Sequence, residues 1–260
     1  MLIVKDIIKF LEEKFPPHLA YEWDNVGLQI GDRNMGVKKI MVALDATTLV
    51  IDEAISKDVG FIITHHPFIF SPLKAIDLTS PQGKNIQKLI KNDIALYAMH
   101  TNYDIATGGM NDVLARRIGL QHIAPFAMID DTHGLGRIGT LEYAMDIDSL
   151  SNVVHEKLAP HIGLISNVAC RNIDNLKTVA VIGGSGSKYI HDAKEAKADV
   201  FITGDVTYHA AMEAKELGLT VLDIGHYAEV IMQDAACDLL NEAFGNELAI
   251  SSEEIKNPIW

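Results

Sequence analysis

Cysteine is scarce in this chain of 260 residues: there are two, Cys170 and Cys237, far apart and in no CxxC spacing. That argues against a disulfide framework and against a sulfur-based zinc site, and fits a reducing compartment. The first residues, MLIVKDIIKFLEEKF, lack the unbroken apolar run of a signal peptide or spanning helix, because Lys5, Asp6, Lys9, Glu12 and Glu13 interrupt it. A cytoplasmic protein with no membrane partner is expected. Positive charge is also short, with 22 Lys and Arg against 35 Asp and Glu and a formal net charge of −13. Such a field repels phosphate polymers before contact, which disfavours nucleic acid as a partner, while it attracts metal cations. There is no GxSxG, no Walker lysine and no complete dinucleotide fingerprint. The remaining composition, 48% hydrophobic and 22% charged, is ordinary for a globular protein.

The apolar pattern is one of alternating strands and helices. Ile3 to Phe15 has helical spacing and is stopped by Pro16 and Pro17. A short strand is expected at Gly27 to Ile30, then apolar runs at Ile40 to Leu44, Phe61 to Thr64 and Ile94 to Met99, each leading into a helix-like stretch. The second half repeats this order: a helix near Ser149 to Leu158, a strand near Gly163 to Ala169, and runs at Thr178 to Ile182, Val200 to Thr203 and Thr220 to Ile224. KDVGFIITHH at 57 to 66 resembles KADVFITGD at 197 to 205. The fold class expected is therefore α/β, an internal duplication of a helix, a strand and three βα units, with mostly parallel sheets. Residues 1–129 and 130–260 form the two repeats, joined across Asp130 to Met145.

Ligands of α/β sheets gather at the carboxyl ends of the strands. FIITHHP places His65 and His66 at one such end. Side chains alternate along a strand, so the pair faces one ion only if the chain bends before Pro67; otherwise each serves one of two neighbouring ions. AMHTNYD puts His100, Asn102 and Asp104 at the next strand end. Three histidines and a carboxylate suit zinc, iron, manganese or nickel better than calcium. In the second half, His226 and Glu229 of DIGHYAEV share a helical face at i, i+3. Asp205, His209 and Glu213, spaced by four, form a rival set that spacing alone does not eliminate. GGSGS at 183 to 187 reads as a tight βα turn or a phosphate cradle, and WDNVGLQIG at 23 to 31 as a turn with a buried tryptophan.

Taken in order, WDNVGLQIG, THHP, HTNYD and GHYAE resemble the blocks of the NGG-interacting factor three family, also called the GTP cyclohydrolase I type 2 family, across nearly the whole chain. The resemblance implies two intertwined mixed-sheet α/β halves in the compact form, without the central insertion of longer relatives. It implies two divalent metal ions per chain on His65, His66, Asp104, His226 and Glu229, and so selects His226 and Glu229 over the rival set. It further implies a ring-shaped homohexamer. The function expected is a metal-dependent hydrolase of a nucleotide-like or phosphorylated small molecule, with GTP ring opening as the named candidate. In that reading His100 serves as acid, base or support, and Asp45 orients a ligand imidazole. The alternative is a non-enzymatic metal-binding scaffold, a metal-handling protein, or a module that binds a nucleic-acid or protein partner.

Overall fold

A computed structural model describes residues 2–158, 166–169, 174–254 and 257–258, with the backbone alone for 166–169. Residues 163–165 of the strand expected over 163–169, together with His161 and Cys170, lie outside the described residues. The chain forms two compact units, Met1–Ala106 with Met232–Ile255, and Thr107–Ile231 with Lys256–Trp260. It leaves the first unit, builds the second, and returns.

In the first unit the order is α1 (Val4–Lys14), β1 (Gly27–Ile30), β2 (Ile40–Ala43), α2 (Thr48–Ser56), β3 (Phe61–Thr64), α3 (Pro81–Lys91), β4 (Ala95–Ala98) and α4 (Thr101–Ile105). The second unit contains α5 (Met110–Ile118), β5 (Gln121–Met128), β6 (Gly134–Met145), α6 (Ile147–Leu158), β7 (Ser166–Ala169), β8 (Leu176–Ser185), α7 (Ile190–Glu195), β9 (Val200–Gly204), α8 (Tyr208–Leu217), β10 (Thr220–Asp223) and a 3-10 helix, His226–Ile231. The returning segment supplies α9 (Met232–Phe244) and β11 (Ala249–Ser251) to the first unit.

Local chemistry explains the helices. The apolar stripe of α1, Val4, Ile7, Ile8 and Leu11, is buried, and two prolines follow it. The side chains of Thr47, Ser80 and Thr207 accept the amides of Val50, Gly83 and Ala210, capping α2, α3 and α8. Strands β2, β3 and β4 are buried at every residue, as expected of a parallel sheet covered on both faces. Each fully buried Ile or Leu contributes roughly 2 kcal/mol.

The sheets reveal the duplication. The first runs β1-β4-β3-β2-β11 and the second β5-β6-β8-β9-β10-β7. Each contains three adjacent parallel strands with an antiparallel one at the same end, β1 on β4 and β7 on β10; at the other end β11 adds a fourth parallel strand to the first, and β6 lies antiparallel to β8 in the second. The registers Ile40↔Phe61↔Ala95 and Val179↔Val200↔Thr220 set β2, β3 and β4 against β8, β9 and β10 residue by residue.

The helix after each repeat is exchanged. In the second unit Asn111 on α5 accepts the Gly183 amide at 2.8 Å and donates to the Leu135 carbonyl at 2.9 Å. In the first, Gln233 on α9 accepts the Leu44 amide at 3.3 Å and donates to the Ser252 carbonyl at 3.2 Å. Leu44 and Gly183 each lie four residues beyond the equivalent positions Ile40 and Val179, so α5 and α9 make the same contact in opposite units. The compact units divide at 106/107 and 231/232, because α5 packs on β6 and β8 and β5 pairs with β6. The span 130–145, expected as a join, holds β6, which pairs with β5 on one side and β8 on the other.

Candidate metal centre

Strand β3 ends at Thr64, so strand alternation does not govern the two histidines that follow. The Thr64 hydroxyl donates to the His66 carbonyl at 2.9 Å, turning the chain, and the His65 and His66 rings lie 5.1 Å apart. His100, just beyond β4, brings its ring to 5.2 Å from His65 and 5.7 Å from His66. Each of the three offers a ligand nitrogen within 4.8 Å of the others, a grouping that can hold a divalent ion.

Every one of these rings is anchored through Nδ1. That of His65 pairs with the Met99 carbonyl at 3.0 Å, that of His66 with Asp45 Oδ1 at 2.8 Å, and that of His100 with Asp24 Oδ1 at 2.8 Å. A carbonyl or carboxylate at Nδ1 fixes the tautomer that carries its proton there and directs metal bonding to Nε2. His65 Nε2 lies 3.5 Å from Asp104 Oδ1. Both residues are buried, which strengthens their interaction with a cation relative to water. Burial raises the pKa of the Tyr103 phenol. Its ring centroid is 6.2 Å from that of His65, so a neutral aromatic wall lies beside it.

Asp24 went unread in the sequence. Burial pushes its pKa up, but hydrogen bonds from His100 and Thr101 outweigh this and hold it at about 2. It accepts from His100 Nδ1 and from both the amide and hydroxyl of Thr101, an ionised clamp on the start of α4.

The second unit builds a smaller counterpart. His226 Nδ1 pairs with Asp205 Oδ2 at 2.7 Å, and its Nε2 lies 3.3 Å from the buried Glu229 carboxylate. Asp205 stands where the register puts His66, and Glu229 where it puts Asp104, nine residues beyond Thr220 and Ala95 respectively. The backbone agrees: Met99 N donates to Thr64 O at 2.9 Å, and Ile224 N to Thr203 O at 2.8 Å. Each repeat thus carries a buried carboxylate at one position.

The rival set is dispersed. Asp205 precedes α8, at φ 54, and supports His226. Glu213 pairs with His191 Nε2 at 2.7 Å between half-exposed side chains. His209 contacts the exposed Tyr208 ring.

GGSGS has a packing role. Gly183 to Ser185 belong to β8, and the Gly183 and Gly186 amides are taken by Asn111 and the Thr203 hydroxyl. A β-carbon on Gly184 would stand 2.6 Å from Glu229 Oε1, so the glycine admits that carboxylate. Trp23, expected to be buried, is 55% exposed, because its neighbours and not its indole hold the loop.

No helix of the described residues is long and apolar enough to cross a membrane. The family profile Duf34/NIF3 (NGG1p interacting factor 3) matches residues 2–258. A Clostridium perfringens protein named GTP cyclohydrolase 1 type 2 homolog is 36% identical over 261 residues, covering 98% of both chains. Among solved structures, a Bacillus cereus protein related to NIF3 matches with a TM-score of 0.89 and 30% identity, over 100% of this chain and 99% of that one. A Staphylococcus aureus hypothetical protein matches with 0.91 and 31%, over 99% and 98%. With the family matched from end to end and its relatives this similar, the chain belongs to the Duf34/NIF3 family.

Proposed function

We propose that this chain is a metal-dependent hydrolase of a nucleotide-like or other phosphorylated small molecule. His65, His66 and Asp104 in the first unit would supply metal ligands, and so would His226 and Glu229 in the second, for two divalent ions per chain. One observation carries the reading: the histidines at the strand ends are each anchored through Nδ1 to a carboxylate or carbonyl, the arrangement that prepares imidazole for metal bonding. The donor set of imidazoles and carboxylates fits zinc, iron, manganese or nickel.

When bound, such a pair supplies Lewis acidity, activates water at neutral pH and clamps charged oxygens. The protein's own residues then have limited tasks. Asp45 and Asp205 orient His66 and His226 through their Nδ1 atoms. Asp104 and Glu229, the two equivalent buried carboxylates, would each supply a carboxylate ligand. His100, whose Nδ1 is held by Asp24, would serve at Nε2 as acid, base or support. The relatives' name makes GTP ring opening the first reaction to test, and a ring-shaped homohexamer is the proposed assembly, with a monomer by light scattering as the contrary result.

The experiment is a panel of nucleotides and phosphoesters given to metal-loaded protein and to His65→Ala. Turnover lost in a folded His65→Ala variant supports the reading. Metal binding without turnover of any panel member favours the non-catalytic scaffold.

A further inference from the structure

Trp23 and Phe70 are large apolar side chains left open, 55% and 53% exposed. They are not on a loose loop. Asp24, next to Trp23, is fastened to His100 and Thr101. Asn25 donates to the Ile69 carbonyl, Gln29 donates to the Asn25 carbonyl at 2.7 Å, and the Ile69 amide donates to Gln29 Oε1 at 2.9 Å. The segment carrying Trp23 is thereby tied to the segment carrying Phe70. Tyr21, whose amide donates to Thr101 Oγ1, stacks on the indole with centroids 5.6 Å apart and planes within 17°. Phe70 flanks it at 5.9 Å. The indole stands edge-on to the His100 ring at 6.1 Å.

We infer that Trp23, backed by Tyr21 and flanked by Phe70, is a stacking platform for a planar heteroaromatic ring, and that the substrate of the adjoining histidine cluster carries such a ring. The inference rests on reading that cluster as a reaction site. A preorganised aromatic face one ring away from His100 binds any flat π-system, because offset stacking depends on shape and polarisability more than on hydrogen-bond pattern. It also draws an anionic nucleotide to a protein of net charge −13 without needing basic side chains. Asn25 Nδ2 and both polar atoms of the Gln29 amide are engaged in holding the two segments together. The platform therefore selects a ring as a class, not one base by its edge.

The chain has two tryptophans, so a Trp260→Phe variant of the full chain leaves Trp23 as the sole indole reporter. Guanosine 5′-monophosphate, adenosine 5′-monophosphate and ribose 5-phosphate are titrated with and without added zinc, by fluorescence and calorimetry. Both nucleotides are expected to quench Trp23 saturably, with affinities within about threefold of each other and at least about tenfold above ribose 5-phosphate. Trp23→Ala is expected to weaken nucleotide binding about tenfold or more, Trp23→Phe to retain most of it, and both to keep metal content and molar mass. Absence of quenching, equal binding of ribose 5-phosphate, or undiminished affinity in Trp23→Ala overturns the platform. A changed molar mass in Trp23→Ala also overturns it and makes the patch a contact between copies. Ring-selective quenching by protein that takes up no metal would sink the metal reading alone. Normal metal uptake without ring selectivity would sink this inference alone.

Discussion

Replacing Gly184 with alanine perturbs the second unit's carboxylate while leaving every proposed ligand unsubstituted. Gly184 has φ +57, and an added β-carbon would lie 2.6 Å from Glu229 Oε1, 3.1 Å from Cδ and 3.3 Å from Oε2. Two costs follow. The left-handed backbone disfavours an L side chain by about 1–2 kcal/mol. The contact then forces a nearly fully buried carboxylate away from His226 Nε2, which lies 3.3 Å from it. Gly108 provides a control for the first cost alone, since its φ is +81 and nothing lies within 4 Å of its added β-carbon. Urea unfolding should place Gly108→Ala about 1 kcal/mol below the parent with unaltered metal affinity. Gly184→Ala should lose more, roughly 2 kcal/mol or above, and bind zinc at least about tenfold more weakly by calorimetry. Equal stability losses and equal zinc affinities in the two variants would refute the claim that Gly184 exists to admit Glu229.

Other outcomes follow from the same packing. Arg137 is buried against Asp112, with Nε and Nη2 at 2.9 and 2.8 Å from Oδ2. Arg137→Met leaves that carboxylate only the Gly108 amide at 2.9 Å and Arg116 at 3.8 Å and should cost about 3 kcal/mol in urea unfolding, and a loss below about 1 kcal/mol would show that water reaches the pair. Asp24 is held at about 2 against an ordinary 3.8, so its charge stabilises the fold above about pH 4 and that contribution is lost as pH falls through about 2. Asp24→Asn should therefore be less stable by about 2 kcal/mol at neutral pH, with the gap narrowing across that acidic window; a gap independent of pH contradicts the assignment. His226→Ala should weaken zinc binding and reduce its dependence on pH, whereas His209→Ala should alter neither, since metal ligands compete with protons and a surface ring does not. Isothermal titration of both variants decides it.

The repeated apolar runs made β2, β3, β4, β8, β9 and β10 legible, because strands buried on both faces must be almost wholly apolar. Strand β5 was hidden by its largely exposed side chains and by Pro125, which reads as a break. Strand β11 has only three residues. The exchange of α5 and α9 leaves no local signal, since an amphipathic helix does not encode which of two similar sheets it covers. The strand-end histidines were visible as motifs, but their supports were less so. Asp45 follows a strand and invited notice. Asp24 sits in a polar turn and acts across 76 residues of sequence on His100, beyond any spacing rule. Asp205 was grouped with His209 and Glu213 by counting in fours, which is blind to its own left-handed backbone and its place outside α8.

The central claim is that the strand-end histidines and buried carboxylates hold a pair of divalent ions. Its most direct test is elemental analysis of gently purified protein, reconstituted with zinc or manganese and desalted, with His65→Ala and Glu229→Ala alongside. The account predicts about two ions per chain in the parent and a reduced content in both variants, each retaining its circular dichroism spectrum. A parent chain that holds no metal after reconstitution would contradict it.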